Sequence, residues 1–254
     1  ESKDHIHQKS VWFCHGDVIP EGLDLPTKIK GVEGVDFWSE AKGHGNIVCT
    51  KVEDTPTSKG NHARVATHNE WRMADGTKIM DEARVIHFHD FGKARLIILE
   101  IDLEASVCPI TFGDTKEGSM GFRINDQIRA EKGKGTLQNA EGKVGEKECW
   151  GRVSAWTDYS GPIDGKVAGL ALLADPKNPY PSCWHIRGYG LNAANPFGRA
   201  KAQFPDAREK KDLVRLAKGE HLKLRYGLVL HDGDAAKGGV AEVYRRFVDL
   251  RGKD

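Results

Sequence analysis

An all-β fold, a two-sheet antiparallel sandwich closed by a short C-terminal helix, is predicted by three features of the sequence. Runs with an apolar residue at every second position recur along the chain, turn-forming residues that include 29 glycines separate them, and helical periodicity is nearly confined to the C-terminus. Nine segments read as strands: 10–14, 46–52, 64–72, 78–89, 95–103, 151–157, 166–173, 183–189 and 221–231. In the last, Leu222, Leu224, Tyr226, Leu228 and Leu230 share one face while His221, Lys223, Arg225 and His231 share the other, the pattern of a sheet with one buried side. Ile97, Leu99, Ile101 and Leu103 repeat it against Glu100, Asp102 and Glu104, acids expected on a solvated face. Val240, Val243, Tyr244 and Phe247 recur at helical spacing, and Arg245, Arg246 and Arg251 follow where cations complement the helix dipole. Residues 206–218 read as a second, surface helix with Asp206 as N-cap and Gly219 as stop, and 131–145 as an exposed loop or hairpin tip.

Length and charge narrow the function classes. The 254 residues suit a single large β domain spanning 1–254. Lys and Arg number 38 against 37 Asp and Glu, a net +1 with no long block of either sign, so no nucleic acid and no anionic membrane surface is implied as a partner. The longest apolar runs, 96–99 and 167–174, fall far short of the ~20 residues a membrane-crossing helix needs, so no membrane insertion is expected. Five cysteines form no C-x-x-C pair, and Cys14, Cys49 and Cys183 lie in strand-like apolar segments where a buried, reduced thiol is expected. Absence of H-E-x-x-H, P-loop, G-x-G-x-x-G and G-x-S-x-G patterns removes the common metalloprotease, nucleotide and α/β-hydrolase readings.

Chemistry concentrates in residues 4–17, D-H-I-H-Q-K-S-V-W-F-C-H-G-D. As an extended strand it would place His5, His7, Lys9, Val11, Phe13 and His15 on one face. Two residues of strand span roughly 6.6 Å, so His5 and His7 could meet one ligand, whereas His15 joins them only if the chain folds back. The same pair would also serve as half-exposed polar positions on a sheet. Three further clusters stand out. Residues 114–123 deliver Glu117 and Arg123 close together, as an ion pair or as part of a site. Residues 156–161, W-T-D-Y-S-G, set Trp156 and Asp158 on one parity running into a turn, either a core indole or a ring for an apolar sugar face with an acid for its hydroxyls. Residues 184–198 put His185, Arg187 and Tyr189 on one face. His87 and His89 form a second H-x-H, read as satisfied histidines near a sheet edge.

These stretches, together with D-F-W at 36–38 and R-G-Y-G-L-N-A-A-N-P-F-G at 187–198, resemble the bacterial PmoA-like family of unknown function from end to end. The methane-oxygenase label sometimes attached to that family does not suit a chain without a membrane-spanning segment. The resemblance implies a β-sandwich similar to the galactose-mutarotase supersandwich and a carbohydrate ligand. It also implies a pocket lined by His5, His7, His15, Glu117, Arg123, Asp158, Arg187 and Tyr189, to which strand parity adds His185. The function so implied is an enzyme acting on a sugar or glycoside, as epimerase, lyase or hydrolase. His5, His7, Glu117 and Asp158 would supply acid-base chemistry, and His15, Arg123, Trp156, His185, Arg187 and Tyr189 would bind substrate. Two alternatives stay open: a non-catalytic glycan-binding or assembly protein, and a metal-dependent enzyme in which His5 and His7 hold a divalent metal completed by Glu117. No other cofactor is implied. Family members carry further sequence before the histidine motif, so the domain is expected to lack its N-terminal strands and to compensate as a homo-oligomer or by retaining an N-terminal fragment. A chain that starts at Glu1 without Met is expected to derive from a longer precursor, with a periplasmic or secreted location favoured over a cytoplasmic one.

Overall fold

The computed structural model describes residues 4–252, leaving aside the side chains of 54–57. Its strands in chain order are β1 (Val11–His15), β2 (Val18–Pro20), β3 (Asn46–Lys59), β4 (His62–Arg72), β5 (Lys78–Asp90), β6 (Ala94–Glu104), β7 (Ile110–Phe112), β8 (Gly118–Arg123), β9 (Thr136–Asn139), β10 (Trp156–Ile163), β11 (Lys166–Ala174), β12 (Cys183–Ile186), β13 (Leu191–Asn195), β14 (Val214–Leu216) and β15 (His221–Asp232). Among the described residues two α-helices accompany them, a single turn α1 (Glu146–Cys149) and the terminal α2 (Val240–Asp249), with a short 3-10 turn at Asp126–Ile128.

The alternating segments pair antiparallel into one large and two small sheets. Eight strands run in the order β3-β4-β5-β6-β15-β11-β10-β9, four in the order β1-β8-β13-β12, and three in the order β14-β7-β2. Alternation decides which face meets which. Leu99, Ile101 and Leu103 of β6, Leu222, Leu224, Tyr226 and Leu228 of β15, and Tyr159 of β10 point from the large sheet toward Phe13, Met120, Phe122, Trp184 and Ile186 of the four-stranded one, forming one buried core. Phe13 crosses between the layers, with its ring 6.1 Å from Trp71 and 6.5 Å from Tyr226. The other face of the large sheet carries a second core, in which Leu96, Ile98, Ala171, Leu173 and Val229 pack against Val240, Val243 and Phe247 of α2. Burial of such side chains stabilises each by roughly 1.5–3 kcal/mol over exposure.

Several local expectations change. Residues 206–218 hold no helix; their apolar Val214 and Leu216 pair as β14 with Phe112 and Ile110 of β7, a contact that local periodicity does not encode. The 131–145 segment is partly ordered as β9, which Tyr159 and its neighbours in β10 hold in register. The strand expected at 151–157 starts only at Trp156 and continues to Ile163, so W-T-D-Y-S-G is strand interior and the turn falls at Asp164 and Gly165. The 4–17 stretch is not one strand: Ser10 takes a positive φ of 52°, and only Val11–His15 is extended. The face of β15 opposite the leucines is solvated only at His221 and Lys223; Arg225 and His231 on it are buried, covered by α2 and the chain leading into it. Cys49 is exposed rather than buried, while the other four thiols are buried and all five are free. Among the described residues no helix is long and apolar enough to cross a membrane.

Candidate functional site

A cavity of about 460 Å³ opens over the outer face of the four-stranded sheet, within the roughly 300–1,000 Å³ typical of small-molecule sites. Its floor follows from register. Trp12, Gly121, Ala193 and His185 stand side by side across β1, β8, β13 and β12, and Glu117 immediately precedes β8 on the same parity. Gly16 lets the chain pass this carboxylate, because a Cβ there would lie 2.8 Å from Glu117 Cβ. Its N–H donates to the Glu117 carbonyl at 2.7 Å.

His185 is 1 % exposed. Its ring hydrogen-bonds the Lys116 backbone, and Nδ1 has no hydrogen-bond partner. In the neutral ring with its proton on Nε2, Nδ1 presents a bare lone pair. That atom lies 4.0 Å from Oε2 of Glu117. Burial, with the Lys116 and Arg187 charges adding to it, lowers the His185 pKa to about 3, so the ring stays neutral. Burial acts oppositely on the Glu117 carboxyl and raises its pKa, favouring the protonated acid.

The walls are aromatic and basic. Asp36 accepts hydrogen bonds from the Trp38 and Ser39 N–H groups and the Ser39 hydroxyl, a turn that fixes Trp38. The indole stands edge-on to Trp12 and stacks beside His185, with ring centroids 6.4 Å apart. Arg187 and Tyr189 come from the tight β12–β13 connection, closed by Gly190 N–H donating to the Arg187 carbonyl at 2.9 Å. Glu146 of α1 braces that turn, pairing with Arg187 Nη1 at 3.1 Å and accepting from Gly188 N–H at 2.6 Å. His5 and His7 complete the rim. Their rings meet edge to face at 5.8 Å, and burial, with His5 adding to it, lowers the His7 pKa.

Six residues expected from the sequence thus converge on one cavity: His5, His7, Glu117, His185, Arg187 and Tyr189. Four do not line it. His15 shares Phe13's face of β1 and is buried between Phe112 and Phe197, its Nε2 2.9 Å from the Gly113 carbonyl. Trp156 and Asp158 lie on the opposite face of the large sheet, where the indole joins the core under α2 and Asp158 is paired to His231 at 2.8 Å. Arg123 stands behind Tyr189. Conversely, Trp38, Asp36, Lys116 and Gln8 line the cavity without having been picked out as site residues; only the D-F-W triplet carried a signal for the first two. Among the described residues no group of three or more His, Cys, Asp or Glu is arranged to hold a metal ion.

Comparison with solved structures finds likeness to sugar-enzyme structures at low identity. The chain is similar to the GH36 alpha-galactosidase AgaA from Geobacillus stearothermophilus, with 10% identity, TM-score 0.35, and coverage of 75% of this chain and 27% of that one. It spans about a quarter of that galactosidase's length. It is also similar to a candidate aldose 1-epimerase from Escherichia coli (12% identity, TM-score 0.29, 70% and 68% covered). A third match is a galactose mutarotase related enzyme from Lactobacillus acidophilus (7% identity, TM-score 0.30, 71% and 70% covered). No curated protein matches the chain. A family model does match, over residues 1–245, and the chain belongs to that family, DUF6807, a family of unknown function.

Proposed function

We propose that this chain binds a saccharide in the cavity over the four-stranded sheet and moves protons on it, with Glu117 as the acid-base group. The observation that carries this reading is the facing pair of Glu117 and His185. A separation of 4.0 Å is too long for a direct hydrogen bond and leaves room for one hydroxyl or water to bridge them. A carboxyl held toward its protonated form donates; the neutral His185 Nδ1 accepts. Trp38 offers an apolar ring for a sugar face, and Arg187, Lys116 and Tyr189 supply donors for hydroxyls or a developing oxyanion.

The lining also favours one reaction class. Glycoside hydrolysis needs two carboxyl groups set roughly 5–9.5 Å apart, one of them free to act as base or nucleophile. The other carboxylate in this cavity, Asp36, is committed to three hydrogen bonds within its own turn. Isomerisation or elimination, which one acid-base group and one neutral imidazole can perform, suits the site better.

Screening a panel of mono- and oligosaccharides by ligand-observed NMR, followed by time courses of the bound sugars, tests the reading. Glu117→Gln should keep binding and lose at least about a hundredfold in turnover. If no saccharide binds the wild type, the ligand class is wrong; if binding occurs and neither protein turns any sugar over, the site belongs to a non-catalytic glycan binder.

A further inference from the structure

His5 and His7 reach the cavity on a segment that no sheet holds. Between Asp4 and Lys9 the backbone makes two local hydrogen bonds, Gln8 N–H to the His5 carbonyl at 2.9 Å and Lys9 N–H to the His7 carbonyl at 3.1 Å. The ladder of the four-stranded sheet is joined only where Arg123 N–H donates to the Ser10 carbonyl at 2.9 Å. Seven residues of irregular chain fixed by local turns alone would sample many conformations.

Side chains supply the fixation, and most of it passes through one residue. Arg123 closes β8, and its side chain is 4% exposed. Nη1 donates to Gln8 Oε1 at 2.8 Å, and Nη2 donates to both carboxylate oxygens of Asp4 at 3.0 and 3.1 Å. The guanidinium lies over one face of the Tyr189 ring, 4.7 Å from its centroid. On that same tyrosine the His5 imidazole stacks at 4.7 Å, 8° from parallel, and Asp4 turns back to accept from the His5 N–H at 3.0 Å. Asp4, Arg123, Tyr189 and His5 therefore form a closed ring of contacts. Gly190 keeps it open: its φ is +108°, and a Cβ there would lie 3.3 Å from Arg123 Nε. At the other end of the segment Lys9 pairs with Glu40.

We propose that Arg123 is the positioning residue of this site, a clamp that holds residues 4–10 as a histidine-bearing strap across the cavity. Only a guanidinium fits the role. Its planar fork serves Gln8 and Asp4 on separate nitrogens while its face covers Tyr189, which an ammonium cannot do. That His5 and His7 act on a ligand rests on the saccharide reading; the clamping does not.

The test uses the whole chain without ligand, so failure of the saccharide reading leaves it unaffected. Hydrogen exchange and histidine ring NMR are compared for wild type, Arg123→Lys and Asp4→Asn. The wild-type Gln8 and Lys9 amides should be protected, and both variants should speed their exchange at least about tenfold while amides of β8 and β13 keep theirs. The His7 titration should move up toward 6.5 as the ring leaves its half-buried position, a response that loss of global stability alone does not produce. Should Arg123→Lys unfold the sheet, Asp4→Asn, which alters an exposed carboxylate, decides alone. Strap amides that exchange at free-peptide rates in the wild type, or that are unchanged in Asp4→Asn, would overturn the proposal.

Discussion

Glu117 and His185 face each other across 4.0 Å with opposite protonation biases, an acid pushed toward its neutral form and an imidazole held neutral. Both biases have burial as their largest cause, and both cost the fold something that pH can reveal.

For Glu117 the folded pKa lies above its ordinary value of 4.5. Ionisation is harder in the fold than in the unfolded chain, so stability falls as pH rises through the window that starts near 4.5. Glu117→Gln removes that penalty. Thermal unfolding should show the variant more stable than wild type at pH 7, with the gain disappearing below pH 4; a variant less stable at pH 7 contradicts the assignment.

Histidines 15 and 185 give the opposite slope. Their folded pKa values, lowered by burial to about 4 and about 3, lie beneath the ordinary 6.5. The unfolded chain takes up protons first, so stability is complete above pH 6.5 and drains away as pH falls toward 4. Each histidine contributes a slope of up to about 1.4 kcal/mol per pH unit. Urea titrations at pH 7, 6, 5 and 4.5 should show the decline, and His15→Gln should make it shallower. A flat profile for the wild type would refute the burial of both rings.

Asp158 and His231 form a pair whose side chains are both fully buried, remote from the cavity. Asp158→Ala leaves the buried His231 Nε2 without its hydrogen-bond partner, at a cost on the order of 1–3 kcal/mol. The loss should appear as a lowered urea midpoint, while the affinity for any sugar bound in the proposed screen stays, below that midpoint, as in the wild type. A variant of normal stability but altered ligand affinity would return Asp158 to the site.

Thiol reactivity should separate one cysteine from four. Cys49 is exposed; Cys14, Cys108, Cys149 and Cys183 are buried, and burial raises the Cys149 and Cys183 pKa values to about 11. Ellman's reagent should titrate one thiol rapidly in the native protein and five in denaturant. Two fast native thiols would disprove this burial pattern.

Much of this architecture was written in local pattern. The period-two alternation of β6 and β15 marks the faces that meet the four-stranded sheet, and Val240, Val243 and Phe247 mark α2, because a buried face or stripe must repeat with the element's own geometry. Five ordered motifs pointed to a PmoA-like family of unknown function; the family model that matches is DUF6807, also of unknown function, and the PmoA-like name is not shown. His185 was added on the parity of a strand expected to run on to Tyr189, whereas β12 ends at Ile186 and Arg187 and Tyr189 reach the cavity from the turn that follows. Tertiary structure decided the rest. Parity says that Asp158 and Trp156 share a face, but only the stacking of layers says that this face lies under α2, away from the cavity. Val214 and Leu216 become strand through β7, roughly a hundred residues earlier in the chain, which no local window can see. His5, His7 and His15 look alike in sequence; the positive φ of Ser10 breaks the strand between them, so two histidines ride a strap clamped by Arg123 and the third is sealed beside Phe112 and Phe197. Spacing along a chain fixes which side chains share a face, whereas long-range packing fixes what that face touches.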